Sequence, residues 1–265
     1  MSPDLLFWLA LAIKMIVAAL FVIAATVTAE RAGPAIGALV ATLPVSAGPA
    51  YVFLALDHDA AFIAQSALAS LALNAVTAIF ASVYVLAAQR HRIWISLSLA
   101  FAAWLVLAGL VLFMEWTTWS ALAANLVVFP VCFFIVRRFR DVRMPPTRRR
   151  WYDIGLRALL VAALVALVVT LSFRIGPAAT GVLAAFPVVF TSIMFLLHWR
   201  VGGHAAAAVL ANAIPGLAGF GAGVLTLHLA ARPLGSAAAL LLALIVSLLW
   251  NLLLYANQRR RAGLA

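Results

Sequence analysis

The feature that most constrains this chain is a succession of apolar runs, each long enough to cross a lipid bilayer. A helix rises 1.5 Å per residue and the hydrocarbon core is about 30 Å thick, so roughly 20 apolar residues make one crossing. Such runs, bounded by charged residues, Pro or Gly, fall at 5–29, 33–56, 60–88, 93–113, 117–136, 154–173, 177–197, 204–230 and 234–257. The sequence therefore predicts an all-α, polytopic membrane protein of about nine transmembrane helices.

Composition agrees with a chain that lies in lipid. Hydrophobic residues make up 67% of the sequence and charged residues only 9%, whereas a soluble domain carries roughly 25% charged residues. The net charge of +11 comes from basic residues that lie mostly between the apolar runs, so we interpret it as a topology signal and expect no nucleic-acid partner. Anionic lipid head groups of the bilayer are the expected partners of these basic segments.

The distribution of arginine predicts the orientation. If all nine runs cross with the N-terminus outside, the cytoplasmic segments hold fourteen Arg and the outer segments hold two. Because basic loops stay on the cytoplasmic side, we expect the N-terminus outside and the C-terminus in the cytoplasm. The densest basic segment, 137–150, is interpreted as an orientation and lipid-attracting signal; the alternative is a docking site for a partner.

An internal repeat links the two halves of the chain. Residues 31–45 and 174–188 are identical at seven of fifteen positions, without a gap, at an offset of 143 residues. That offset skips five helices, an odd number, so equivalent helices cross in opposite directions. The predicted fold is an inverted 4+1+4 repeat: a first four-helix repeat at 1–113, a connector helix and basic cytoplasmic loop at 114–153, and a second repeat at 154–265.

The second helix of each repeat contains a proline near its middle, Pro44 in the first and Pro187 in the second. A mid-helix proline removes one backbone hydrogen bond, and in transporters such broken helices line solute sites. Gly181 and hydroxyl groups nearby are the candidate site residues of these helices. The hydroxyls are Thr42, Ser46, Thr180, Thr191 and Ser192. The alternative is a packing kink, in which the hydroxyl groups bond to their own helix.

Two cations fall within the predicted spans, Lys14 and Arg157, and the 143-residue offset superposes them. A charge at membrane depth suggests a functional site. Because no carboxylate falls in the middle of a predicted span, we expect the two cations to attract an anionic solute. Alternatively each long side chain reaches the nearer membrane surface. Asn212 is a further candidate because Pro215 and Gly216 follow it, although interhelical hydrogen bonding is the usual role of a buried amide.

These residues resemble the GlpM-like family of small bacterial inner-membrane proteins, which have about four helices. The resemblance lies in a basic residue in the first helix, another at its end, and a Gly before Phe-Pro in the second helix. In the second repeat these are Arg157, Arg174, Gly181 and Phe186-Pro187; in the first they are Lys14, Arg31 and Leu43-Pro44, with Ala38 in place of the Gly. The resemblance implies a fused duplication located in the bacterial inner membrane.

The function predicted from these features is transport by a secondary transporter or channel. Its solute would be a small anion or an anionic lipid head group, passing between the two repeats. The alternative is a non-transporting membrane subunit that docks a partner through the basic loop and tail. No enzyme, zinc or nucleotide-binding motif occurs, so we expect neither catalysis nor a cofactor. Homo-oligomer formation is left open.

Overall fold

The computed structural model describes residues 3–31, 47–142 and 151–263. Within these ranges the chain forms nine α-helices and one 3-10 turn, at Arg137–Phe139. The helices are α1 Pro3–Arg31, α2 Ala47–Asp57, α3 Ala60–Ala87, α4 Ile93–Phe113, α5 Thr118–Val136, α6 Trp151–Ala184, α7 Val188–Val201, α8 Gly203–Leu234 and α9 Ser236–Gly263. The all-α prediction is confirmed.

Seven of the described helices are long and apolar enough to cross a bilayer, and α2 and α7 are shorter apolar helices. Many large hydrophobic side chains point outward; Leu105 and Leu253, for example, are 62% and 67% exposed. In water such a surface would aggregate, whereas in a bilayer it meets hydrocarbon. The protein is therefore a multi-pass membrane protein in contact with lipid.

Helix α3 lies at the centre of the bundle. It packs against α4, α5, α6 and α8, and most of its residues are buried. Its sequence is rich in Ala and Ser, whose small side chains allow neighbouring helices to approach closely on several sides. Helix α8, rich in Ala and Gly, packs against α3 on one side and α9 on another. These two helices form the core on which the other helices are arranged.

Local sequence sets the helix ends. The Asp59 carboxylate caps α3 by accepting the Phe62 N–H at 2.8 Å, and Thr117 with Ser120 forms a capping box at the start of α5. Gly202 and Gly235, which separate α7 from α8 and α8 from α9, have φ of 90° and 81°. Only glycine adopts such angles without strain, so the turns between these helices depend on it.

Predicted helix seven, 177–197, is divided in the structure. Its first part continues α6, with a kink at Gly176, where φ is 76° and ψ is 173°. Helix α6 ends at Ala184, and α7 begins at Val188 after a non-helical Pro187. The expected interruption at Pro187 is therefore present. The corresponding part of helix two, with Thr42, Pro44 and Ser46, lies outside the described residues.

Candidate functional site

A buried pair of asparagines joins three helices at the centre of the bundle. The Asn74 side-chain N–H₂ on α3 donates to the Asn125 Oδ1 on α5 at 3.0 Å and to the Leu217 carbonyl on α8 at 3.1 Å. Asn125 in turn donates to the carbonyls of Leu71 and Ala121, both at 2.8 Å. Two buried amides held by several hydrogen bonds fix where α3, α5 and α8 cross.

The Asn74 contact has a special relation to the repeat. Asn74 and Leu217 are 143 residues apart, which is the repeat offset. A residue that touches its own repeat equivalent lies close to the axis that would relate the two repeats. The Asn74 carbonyl oxygen, Oδ1, has no hydrogen-bond partner among the described residues, so this crossing retains one unused buried acceptor.

Polar side chains continue along the same face of α3. Ser66, Ser70, Asn74 and Thr77 are all buried, and their spacing of three or four residues aligns them on one side of a helix. Ser70 Oγ donates to the Gly181 carbonyl at 2.7 Å. The Tyr51 hydroxyl lies 2.7 Å from Ser70 Oγ, and because the single Ser70 hydrogen is already used, Tyr51 is the donor there. A buried hydrogen-bonded chain thus links α2, α3 and α6.

Gly181 has a packing role at this point. A Cβ added to it would lie 2.0 Å from the Ser66 carbonyl oxygen, a distance that no side chain could tolerate without moving the backbone. The close approach of α6 to α3 therefore requires glycine. Gly181 also presents its carbonyl to Ser70, so this candidate site residue contributes a backbone acceptor.

The hydroxyl groups around the Pro187 break bond within their own helices. Thr180 Oγ1 donates to the Gly176 carbonyl at 2.7 Å, Thr191 Oγ1 to the Pro187 carbonyl at 2.8 Å, and Ser192 Oγ to the Val189 carbonyl at 2.7 Å. Such bonds are the packing alternative considered from sequence. They occupy the donor of each hydroxyl but leave its oxygen able to accept.

Lys14 forms an ion pair with Asp57. Its ammonium group donates to the two Asp57 carboxylate oxygens at 2.6 and 2.5 Å, and the two side chains are 17% and 18% exposed. The pair joins the first half of α1 to the end of α2. The positive charge on Lys14 is thus balanced by a carboxylate that the sequence analysis did not assign to the site.

A second ion pair joins α6 to the end of α7. The Arg200 guanidinium donates to both Asp153 carboxylate oxygens, at 2.6 and 2.5 Å, and lies 5.3 Å from the centre of the Tyr152 ring. This parallel two-bond geometry is the strong form of an Arg-carboxylate contact. Arg157, the other predicted site cation, lies one turn after Asp153 and is half-buried.

The two ion pairs lie at opposite ends of α3. Asp57 precedes the start of α3 by three residues, and Arg200 precedes the start of α8 by three. Gly203, where α8 starts, lies against the Ala88 carbonyl, just past the end of α3. With 28 residues in α3, the separation along its axis is about 40 Å, comparable with the thickness of a membrane including its head groups.

Histidines link the predicted repeats at both ends of α3. At the Asp57 end, His228 Nδ1 donates to the Ala64 carbonyl at 2.7 Å and its Nε2 lies 2.9 Å from Thr118 Oγ1. At the Arg200 end, the Tyr84 hydroxyl lies 2.9 Å from His198 Nδ1. These contacts join α3 to α8 and α7. In the sequence both histidines lie near the ends of predicted spans, and that position does not indicate which residues they contact.

His58 packs beside the Lys14–Asp57 pair. Its Nε2 lies 2.8 Å from Ser172 Oγ, and its ring stacks on Phe62 with ring centres 3.8 Å apart. Burial lowers the pKa of His58 from its ordinary value, and Lys14 adds to this, although Asp57 and Asp59 act in the opposite direction. The neutral ring is therefore favoured in the folded protein.

Asn212 faces a polar cleft near the end of α5. Arg140 Nε donates to its side-chain oxygen at 2.9 Å, and its amide donates to the Arg140 carbonyl at 3.1 Å. Arg137, Arg140, Asp141 and Asn212 line this cleft, which measures about 440 Å³. The structure therefore separates Asn212 from Gly181, Thr191 and Ser192, with which the sequence analysis grouped it.

An apolar cavity lies where the predicted repeats meet. It measures about 280 Å³ and is bordered by α1, α2, α8 and α9. Its walls are almost entirely hydrocarbon, with Tyr51 and Ser247 as the polar residues. The hydroxyl groups of these two residues bond within the protein, to Ser70 and to the Gly219 carbonyl. Sequence analysis did not predict this cavity.

No protein-family model matches the chain, and no curated protein or solved structure is significantly similar to it. The class of protein defined by the fold is a multi-pass helical membrane protein. The GlpM-like resemblance stays a prediction.

Proposed function

We propose that this chain is a membrane transport protein, a secondary transporter or channel without catalytic activity. Its solute is a small anion or an anionic lipid head group, which passes between two inverted repeats. The setting proposed is the bacterial inner membrane, with the N-terminus outside and the C-terminus in the cytoplasm, as the arginine distribution favours.

The observation that carries this proposal is the contact between Asn74 and Leu217, residues separated by the repeat offset. Helix boundaries support the same relation: α3 and α8 start at 60 and 203, and α4 and α9 start at 93 and 236. Two copies of a unit that meet at equivalent residues of antiparallel helices form an inverted pair, the architecture of many carriers.

The ion pairs supply the anion-attracting part of the proposal. The 143-residue offset relates Lys14 to Arg157 and Asp57 to Arg200. Each repeat thus joins its first helix to the end of its second by an ion pair, with the charges reversed. Because the pairs lie at opposite ends of α3, each would attract a solute anion at one membrane surface by exchanging its carboxylate partner for the solute.

Flux measurements in proteoliposomes test the proposal. Purified protein is reconstituted and assayed with chloride, phosphate and a fluorescent phosphatidylglycerol. We expect Lys14→Gln and Arg200→Gln, which remove the cation of each ion pair, and Arg157→Gln to lower the rate for the transported anion at least tenfold. The matched control is Arg92→Gln, an exposed cation ahead of α4, and should transport as the unmodified protein does.

Two results would contradict the proposal. Absence of flux for every member of the panel, with protein that is folded and correctly inserted, would remove transport of anions. Flux that is unchanged in all three variants, Lys14→Gln, Arg157→Gln and Arg200→Gln, would remove the role of the cations while leaving transport in place.

The scaffold alternative rests on the basic surface beside α5. Arg137, Arg138 and Arg140 lie over the rings of Phe134, Phe139 and Phe133 at 5.2, 4.7 and 5.1 Å. Aromatic support of this kind orders guanidinium groups that could contact an acidic partner. If the protein acts in this way, Arg137→Gln with Arg138→Gln abolishes its function in cells, and Pro187→Ala leaves it intact.

A further inference from the structure

We infer that the apolar cavity binds the acyl chain of an anionic membrane lipid, with the lipid head group directed toward Lys14 and Arg232. The inference rests on the proposed function and deepens it, because it names the apolar part of the substrate and the membrane surface from which it enters.

The lining identifies hydrocarbon as the occupant. Four spanning or near-spanning helices contribute the walls, and aliphatic or aromatic carbon covers nearly all of them. Water is a poor occupant, because a buried water needs two or more polar partners. The cavity is also partly open to the outside of the bundle, past Val52 and Leu244, which are 46% and 41% exposed. At membrane depth that opening faces lipid chains.

The equivalent region of the other repeat is filled. Eight residues of α8 and α9 line the cavity, among them Gly223, Leu227, Leu244 and Ser247. The residues 143 positions before these four are all aromatic. They are Phe80, Tyr84, Phe101 and Trp104. Phe80, Tyr84 and Trp104 are buried, and the rings pack together, with Phe80 and Phe101 centres 5.3 Å apart and Trp104 and Phe186 centres 5.0 Å apart.

This difference lies in the side chains and in the spacing of the helices. Two of the four positions hold glycine and serine where the first repeat has phenylalanine and tryptophan. At Gly223 the two helices are close, because an added Cβ would contact Ser247 Oγ. The cavity therefore lies beside this close contact, at four positions where the second repeat lacks the aromatic rings of the first.

Charge at the rim indicates the kind of lipid. The wall formed by α8 continues from Leu227 to the exposed Arg232, about 7.5 Å further along the helix axis. On α1, Lys14 precedes the lining residue Val17 by three residues. Both cations lie at the Asp57 end of α3, since Lys14 pairs with Asp57 and α8 reaches Ala64 through His228. A chain in the cavity would place an anionic head group beside them.

Photolabelling tests the inference. The reconstituted protein is illuminated with phosphatidylglycerol that carries a diazirine in one acyl chain, and labelled peptides are mapped. We expect labels on the segments of α1, α2, α8 and α9 that line the cavity. Phosphatidylcholine with the same chain should label them at least threefold less, and Arg232→Gln should reduce that preference.

Filling variants exchange residue types between the repeats. Val52→Phe takes the residue type of Phe195, Leu244→Phe takes that of Phe101, and the double variant should lower cavity labelling at least fivefold. The control is Leu241→Phe, on the same helix but outside the cavity and 60% exposed to lipid; it should label within twofold of the unmodified protein. If the double variant does not fold, Leu244→Phe alone serves, because its side chain is already part-exposed.

Labels spread evenly over all lipid-facing helices, or cavity labels that the filling variants do not change, would overturn the inference. Equal labelling by the two lipids would overturn the role of Lys14 and Arg232. Specific labelling without any lipid or anion flux would support the chain site and remove the proposed function. Flux that the filling variants leave unchanged, without specific labelling of the cavity, would support the proposed function and remove the acyl-chain site.

Discussion

The third and fourth helices of the two predicted halves, α3 with α4 and α8 with α9, begin 143 residues apart but pack differently. In the second half, α8 and α9 meet through glycine: a Cβ at Gly219 would lie 2.5 Å from Trp250 Cδ1, and one at Gly223 would lie 2.3 Å from Ser247 Oγ. The positions that precede these glycines by 143 residues carry Val76 and Phe80, both buried. At these two positions α8 and α9 therefore lie too close together for a side chain, whereas the equivalent positions of α3 hold buried side chains.

The largest effect is expected where the filled half is emptied. Phe80 is fully buried and packs against the Phe101 ring. Phe80→Ala would remove this ring contact and leave an empty space in the core. Such changes cost about 3–5 kcal/mol of unfolding free energy. Denaturant titration in detergent measures this loss. Phe113→Ala is the control, since Phe113 is 90% exposed; an equal loss in both variants would contradict the filled-core description.

The ion pairs give the next comparison. Asp153 is only 4% exposed and holds Arg200 by two bonds, whereas Asp57 is 18% exposed. Removing one partner of a buried pair leaves an uncompensated charge, and the penalty falls as exposure rises. We expect Asp153→Asn to lower the unfolding free energy by about 2–3 kcal/mol and Asp57→Asn by about 1 kcal/mol. If denaturant titration in detergent showed a larger loss for Asp57→Asn than for Asp153→Asn, burial would not determine how much each pair stabilises the fold.

The crossing of α3 and α8 is tested by removing its amide. Asn74→Leu leaves Asn125 Oδ1 and the Leu217 carbonyl without their donor, at a cost of about 2 kcal/mol for buried acceptors. The readout is again the unfolding free energy. Asn125→Leu in addition to Asn74→Leu should cost less than the sum of the single changes, because the two amides bond to each other. Strict additivity would argue against their coupling.

The smallest effect is a pH dependence that His58 contributes at the Asp57 end. The pKa of His58 is lowered in the folded protein, so the unfolded chain takes up its proton first as the pH falls. Stability should therefore decline as the pH falls below about 6.5, the ordinary histidine value. Thermal unfolding at pH 7.5 and pH 5.5 measures the decline, and His58→Gln should reduce it. Val201 occupies the position 143 residues later, so the residue equivalent to His58 does not titrate.

Much of the fold could be predicted from the sequence. The lengths of the apolar runs and the charged residues that bound them predicted the positions of most helices. The glycine and proline residues within 176–187 predicted the broken segment. The candidate site was predicted less well. Asp57 and Arg200 lie near predicted span ends, where charges are common, so nothing in their local sequence indicated that they pair with Lys14 and Asp153. The contacts join residues 43 and 47 positions apart.

The sequence by itself determined that this chain lies in a membrane, because apolar runs of bilayer length have no other stable solvent. It also determined the identity between residues 31–45 and 174–188 at an offset of 143 residues, which is a property of the residues alone. Only the tertiary structure decided which small residues leave a cavity and which buried polar groups meet. Those outcomes depend on distances between helices that are remote in sequence, and a helix of Ala, Gly and Leu packs against several neighbours with similar energy.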